Sequence, residues 1–221
     1  MSKKIVILGT NGNCVDMLDL IDSINTQAGR TVYECIGFLD DNPTLHGKTR
    51  CGVKVLGPLS MAADLEGCRF VNGIGSPGNF FIKEQIIGKA NVGDEHFESL
   101  VHPRAVISKR ARIGTGAVVF ENVAVTSNVT IGRHVIILPN TVVSHDVEVG
   151  DYTCITGGVC ISGGTRIGRS CYLGTNSTII GDVEIGDCSL IGMGSVVLES
   201  VGPDHIVVGN PARYLRDIRQ T

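Results

Sequence analysis

From Val101 to Val197 an aliphatic residue returns at every sixth position without a break: Val101, Ile107, Ile113, Val119 and Val125, and so on through Val143, Ile161 and Ile179 to Ile191 and Val197. Six is the period of neither an α-helix nor a β-strand. Four positions after each of these stands a small residue or a valine, such as Ala105, Val123, Thr141, Thr165 or Ser195. A second period lies on top. Gly114, Gly132, Gly150, Gly168 and Gly186 are eighteen apart, which is three hexads. The pattern predicts a solenoid of triangular coils with one short strand per side. The aliphatic points into the prism, the small residue lets the chain pass the corner, and glycine supplies turn conformations closed to other residues. Each coil buries its face only against its neighbours, so stability is nearly one-dimensional.

The first hundred residues have another rhythm. KKIVILGT reads as a buried strand ending in Gly9, followed by a helix with Val15, Leu18, Ile21 and Ile24 on one face. YECIGFL (33–39) is a second strand and ends at Asp40-Asp41. A short strand in VKVLGP, a helix over 59–65, a strand in RFVNGIGS and a helix over 77–91 complete the series. Alternating strands and helices predict a small parallel sheet whose ligands sit at the carboxyl ends of the strands. Three such ends carry Gly9-Thr10-Asn11-Gly12-Asn13, Asp40-Asp41 and Gly73-Ile74-Gly75-Ser76. A glycine-rich turn before a helix suits phosphate, and a carboxylate after the second strand suits a ribose hydroxyl or a base N–H. The turn lacks GxGxxG, which argues against a nicotinamide dinucleotide.

Composition narrows the partners. The chain has 221 residues and a net charge of −3 with no dense Lys/Arg run, which argues against nucleic acid or an anionic membrane. The only apolar run near the start is Ile5–Leu8, too short for a signal peptide or a span, so a cytoplasmic protein is expected. The eight cysteines form no CxxC and no zinc-spaced cluster. They read as buried or turn thiols in a reducing compartment, and no metal site is expected.

A small nucleotide-binding domain, then a hexapeptide prism, then a Gly-Asn-Pro-Ala-Arg tail resembles the bacterial nucleotide-amino-sugar N-acetyltransferases and the related sialic acid O-acetyltransferases. The resemblance covers essentially the whole chain. It implies a Rossmann-like α/β domain over 1–98, a left-handed parallel β-helix over 99–202 and a tail over 203–221 that contributes to CoA binding. Ser144-His145-Asp146 matches the family's catalytic motif, with His145 as general base and Asp146 holding the imidazole. The resemblance assigns Asn11, Gly12, Asn13, Asp40, Asp41 and Gly75 to the nucleotide sugar. It assigns Cys154, Thr175, Gly192, Met193 and Arg213 to acetyl-CoA, in a groove between the prisms of a homotrimer. Two residues depart from the family: Asn13 and Cys154 stand where it usually carries histidines.

The chemistry is consistent on its own terms. An amine attacking a thioester must lose a proton, and imidazole, with an ordinary pKa of about 6.5, is the natural base. Neighbouring residues of a flat strand point to opposite sides, so His145 and Asp146 cooperate only where the backbone bends. His134 reads as a surface residue, and His102, before Pro103, as structural. The expected reaction is acetyl transfer to the 4-amino group of a nucleotide-linked 4-amino-4,6-dideoxy sugar in glycan synthesis. The alternatives are O-acetylation of a sialic-type sugar and a non-enzymatic prism. A hexapeptide carbonic anhydrase is excluded, because no H-x4-H pair exists.

Overall fold

The computed structural model describes residues 2–218, so the last three residues of the expected tail lie outside the described residues. Near the N-terminus, β1 (Lys3–Leu8), β2 (Tyr33–Leu39), β3 (Thr49–Arg50), β4 (Val53–Gly57) and β5 (Cys68–Asn72) form one sheet in the order β3-β4-β2-β1-β5. All pairs are parallel except β3 with β4. Helix α1 (Gly12–Ala28) follows β1 and stops at Gly29, whose φ of 62° lets its N–H reach Asn25 O and Thr26 O. The buried residues of α1 are Cys14, Met17, Leu20 and Ile21, with Ile24 partly buried, so the core stripe is centred one position before the expected Val15–Leu18 face. The expected helix at 59–65 is a 3-10 segment, Leu59–Asp64, which follows Pro58 without a side-chain cap. The expected helix at 77–91 shrinks to a 3-10 turn, Phe80–Ile82, and the short α2 (Lys83–Gly88).

From Leu100 the described residues hold seventeen two-residue strands, ending at Val196–Val197. Each of the first fourteen pairs in parallel with the strand eighteen residues on, as Val125 does with Val143 and Val143 with Ile161. The result is three flat faces coiled as a left-handed parallel β-helix. The last coil continues into His205–Val208, which pairs parallel to Leu190–Ile191, and the chain then turns back antiparallel through Arg213–Asp217.

The core explains the sequence pattern and corrects part of it. The sixth-position aliphatics fill the prism, and so do the residues four positions later: Val123, Thr141, Ser177 and Ser189 are 0% exposed. These small residues are therefore inward residues. Where they carry hydroxyls, they bond to carbonyls nearby, Thr141 Oγ1 donating to Thr156 O at 3.0 Å and Thr153 Oγ1 to Gly168 O at 2.9 Å. The left-handed corners fall on a different column: Asn122, Asn128, His134, Asn140, Asp146, Tyr152, Gly158 and Gly164 all have φ between 56° and 71°. The glycines at eighteen-residue spacing have no positive φ; they are required by crowding. A Cβ on Gly132 would lie 2.6 Å from Asp151 N, and one on Gly150 2.6 Å from Gly168 C.

The parallel-sheet domain docks on the prism through apolar contacts. Val118, Phe120 and Ile136 pack with Met17, Leu20 and Ile5 on one side of the sheet, while Tyr152 packs with Phe70 and Phe97 on the other. Around Tyr152, Arg133 bridges Asp94 and Asp151, and Arg169 pairs with Glu84. His134 belongs to this seam and is 1% exposed, so the expectation of a surface histidine is corrected. Its ring stacks on Tyr152 at 5.2 Å and meets the Phe97 edge at 4.6 Å, and Nε2 lies 3.2 Å from Asp94. Glu98 closes the domain, accepting from Lys3 at 2.8 Å and Arg69 at 2.9 Å.

Candidate active site

Two separate features carry chemistry. The first is a cleft of about 410 Å³ at the carboxyl ends of β1, β2 and β5, lined by Gly9, Thr10, Asn11, Asp40, Asp41, Arg50, Ser76 and Asn79 among others. The local sequence builds it tightly. Asn11 caps α1 by accepting from Cys14 N at 3.1 Å and ties the turn to β5 by donating to Gly73 O at 3.2 Å. Cys14 lies beneath, and only glycine fits above it: a Cβ on Gly73 would sit 2.2 Å from its sulfur and one on Gly9 3.0 Å. Burial pushes the Cys14 thiol up to about 12, so it is a packing group.

The paired aspartates are held differently. Asp40 accepts from Thr10 Oγ1 at 2.6 Å and from Asn42 N at 2.9 Å. Asp41 accepts from Lys89 Nζ at 2.7 Å and from Leu59 N at 3.1 Å. Burial alone would raise the Asp41 carboxyl, but these bonds outweigh it and hold it below the usual range. Of the residues assigned to the nucleotide sugar, Asn11, Asp40 and Asp41 line the cleft. Gly12 and Asn13 lie beside it on the first turn of α1. Gly75 instead covers Cys154: a Cβ there would come within 2.3 Å of the Cys154 sulfur.

The second feature is a corner of the prism on another side. His145 Nδ1 lies 2.8 Å from Asp146 Oδ2, and His145 is well exposed. The bend that the pair requires is present, because Asp146 has φ 59°. Asn128, one coil earlier, donates to the other Asp146 oxygen at 3.0 Å. The bonds from His145 and then Asn128 hold the Asp146 carboxyl below the usual range. A carboxylate only accepts, so Nδ1 carries the proton and Nε2 presents a lone pair to solvent. One coil later, Gly163 lies flat under the imidazole, where a Cβ would come within 2.5 Å of Cε1. Asn128 and Gly163 were missed by sequence reasoning, although each stands eighteen positions from its partner and the period itself marks them.

The five residues assigned to acetyl-CoA divide. Thr175 and Met193 stack eighteen apart on one exposed corner, Met193 being 77% exposed. Gly192 lies against the tail, where a Cβ would meet Val208 at 2.7 Å. Val208 pairs with Arg213, so Gly192, Met193 and Arg213 end up close together. Cys154 does not join them. It is 4% exposed, sealed under Gly75, and accepts from the fully buried Lys83 Nζ at 3.4 Å. The parallel-sheet domain covers that part of the face. Among the described residues no group of three His, Cys, Asp or Glu is placed to hold a metal ion, and no helix is long and apolar enough to cross a membrane.

The bacterial transferase hexapeptide family, of six repeats, matches residues 128–163 and 164–199. The acetyltransferase domain of PglB from Neisseria gonorrhoeae, also solved with acetyl coenzyme A, is similar over 97% of this chain and 100% of its own, at 27% identity and TM-score 0.84. PerB from Caulobacter crescentus, solved with CoA and GDP-perosamine, is 26% identical over 96% of this chain and 97% of its own, with TM-score 0.79. WeeI from Acinetobacter baumannii is 26% identical over 97% and 100%, with TM-score 0.82. No curated protein sequence matches.

Proposed function

We propose that this chain, a hexapeptide-repeat acetyltransferase similar to solved sugar N-acetyltransferases, acetylates the 4-amino group of a nucleotide-linked 4-amino-4,6-dideoxy sugar in the synthesis of a bacterial surface glycan. The observation that carries the reading is the His145–Asp146 pair, with Nδ1 held at 2.8 Å and Nε2 free. PerB, solved with CoA and GDP-perosamine, supports the substrate class.

The geometry supports a role for each group. Acetyl-CoA supplies the acyl group as a thioester. The shallow corner of Thr175 and Met193, with glycines at 157, 158, 192 and 194, has the small side chains that a pantetheine arm needs for close approach. His145 Nε2 takes the proton that the amine sheds as its nitrogen bonds to the acyl carbon. The imidazolium is stabilised by Asp146, and its proton goes to the departing sulfur when the carbon–sulfur bond breaks. A positioned base of this kind contributes typically 10²–10⁴-fold.

In this reading a second copy completes the site. The sugar-binding cleft lies on the parallel-sheet domain, which packs on the face of Val118 and Ile136 and on the corner of His134 and Tyr152. His145 stands on the corner that this domain leaves free. Beside it, Val106 and Val142 are exposed, as are Ile180 and Leu198 in the column of Ser144. An apolar face next to an exposed base fits a homotrimer in which one subunit's cleft meets its neighbour's His145.

The test is thiol release from acetyl-CoA with UDP-, GDP- and dTDP-linked 4-amino-6-deoxy sugars, beside free sialic acid. Release with one amino sugar is expected. Release only with sialic acid would replace N- by O-acetylation, and silence with every acceptor would refute the reading. A monomer by mass in solution would refute the shared site.

A further inference from the structure

The sugar-binding cleft contains a charge that neither the helix turn nor the aspartate pair explains. Strands β3 and β4 form a tight hairpin, with Arg50 paired to Val53 and Thr49 to Lys54. Its two tip residues, Cys51 and Gly52, have φ of 48° and 79°, the signature of a primed two-residue turn. The hairpin extends the sheet beyond β2 and brings Arg50 to the rim that Asp40 and Asn11 share. Among the described residues that line the cleft, Arg50 is the one cation. Among the described residues its side chain has no hydrogen-bond or ion-pair partner, although two carboxylates line the same cleft. Asp41 is neutralised by Lys89, and Asp40 takes its bonds from Thr10 and Asn42. Arg50 is left to face whatever enters.

A sugar nucleotide brings two kinds of group to such a cleft. Its hydroxyls and base N–H groups are donors, which carboxylates accept. Its diphosphate carries two negative charges, which the same carboxylates repel at close range. A cation on the phosphate side offsets this repulsion and lets the cleft take both ends of one molecule. A guanidinium does this well, because its fork donates two parallel bonds to one phosphate. Arg50 also stands near the amino end of α1: its charge is felt at Cys14, in the first turn.

We propose that Arg50 is the diphosphate anchor of the substrate cleft, so that Asp40 reads the nucleoside and Arg50 selects for a diphosphate-linked sugar over a free one. This rests on the nucleotide-sugar reading above and goes beyond it by assigning the residue that enforces it.

The experiment is calorimetric titration of the full chain, as wild type, Arg50→Ala and Arg50→Lys, with UDP, GDP and dTDP and with the matching nucleosides. One charge-assisted phosphate contact corresponds to a loss on the order of 10- to 100-fold. Arg50→Ala is expected to weaken the bound diphosphate by that factor and leave the nucleoside unchanged, with Arg50→Lys in between. With sugar nucleotide, KM should rise by a similar factor while kcat holds. Equal diphosphate affinity in wild type and Arg50→Ala, at an unchanged unfolding midpoint, would overturn the assignment. So would an equal loss for nucleoside and diphosphate, which would mark Arg50 as shaping the cleft. Wild type that binds none of the three diphosphates would overturn the nucleotide-sugar reading itself, and the anchor with it.

Discussion

Replacing Gly163 by alanine adds a single methyl group under the proposed base. The new Cβ would lie 2.5 Å from His145 Cε1 and 2.7 Å from Nε2, where ordinary contact begins at 3.4 Å. The imidazole must therefore move by about 0.9 Å, the difference between these two distances. The backbone at Gly163 is not in the left-handed region, so alanine is tolerated there. His145 is 69% exposed and can swing outward at little cost. Stability should thus change by no more than about 0.5 kcal/mol, as for other surface substitutions. Activity should not be spared, because the swing breaks the 2.8 Å bond to Asp146 and displaces Nε2. A misplacement of about 1 Å costs on the order of 10²-fold. The assay is thiol release from acetyl-CoA beside a thermal melt, with Gly88→Ala as control, since a Cβ there meets nothing within 4 Å. A Gly163→Ala enzyme that keeps more than about a third of wild-type kcat, with an unchanged melt, would refute the base assignment.

Three other predictions follow from the same structure. Asp146→Asn should lower kcat about 10- to 100-fold with KM for acetyl-CoA unchanged, because an amide no longer dictates which imidazole nitrogen keeps the proton; steady-state kinetics at pH 7 decide it. Gly150→Ala should cost about 1–3 kcal/mol by overpacking, since its Cβ would fall 2.6 Å from the next coil, and should lower the melting midpoint by several degrees. Burial holds His134 below the usual imidazole range, so the unfolded chain takes the proton first. Its stabilisation is complete above about pH 6.5 and is lost as the pH falls below that value. His134→Asn, which keeps a residue tolerant of φ 56°, should flatten the fall in midpoint between pH 7 and 5; an unchanged slope would place the titrating group elsewhere.

The reach of sequence reasoning differs between the two halves. The prism has a local cause: each coil sees only the coils above and below it, so a period of six and one of eighteen determine strands, core and height. The His145–Asp146 pair was legible for the same reason, since both residues lie at one corner and the family motif lies in register. The parallel-sheet domain was legible as alternating elements and as three strand ends on one rim. Its helix face was misplaced by one position, because Cys14 and Met17 were not counted as core.

What the sequence by itself determined is therefore the repeating part: the prism, its column of sixth-position aliphatics and the corner that carries His145 and Asp146. What only the tertiary structure decided depends on contacts between residues far apart in the chain. His134 and Cys154 sit on the prism in positions that a repeat pattern marks as outward, and only the docked domain buries them. Lys83 and Arg50 carry no motif, yet docking seals the first against Cys154 and a hairpin carries the second into the cleft. The eighteen-residue glycines were visible as a period, but their cause was not. They are crowded by backbone one coil away, a constraint that exists only once the coils are stacked.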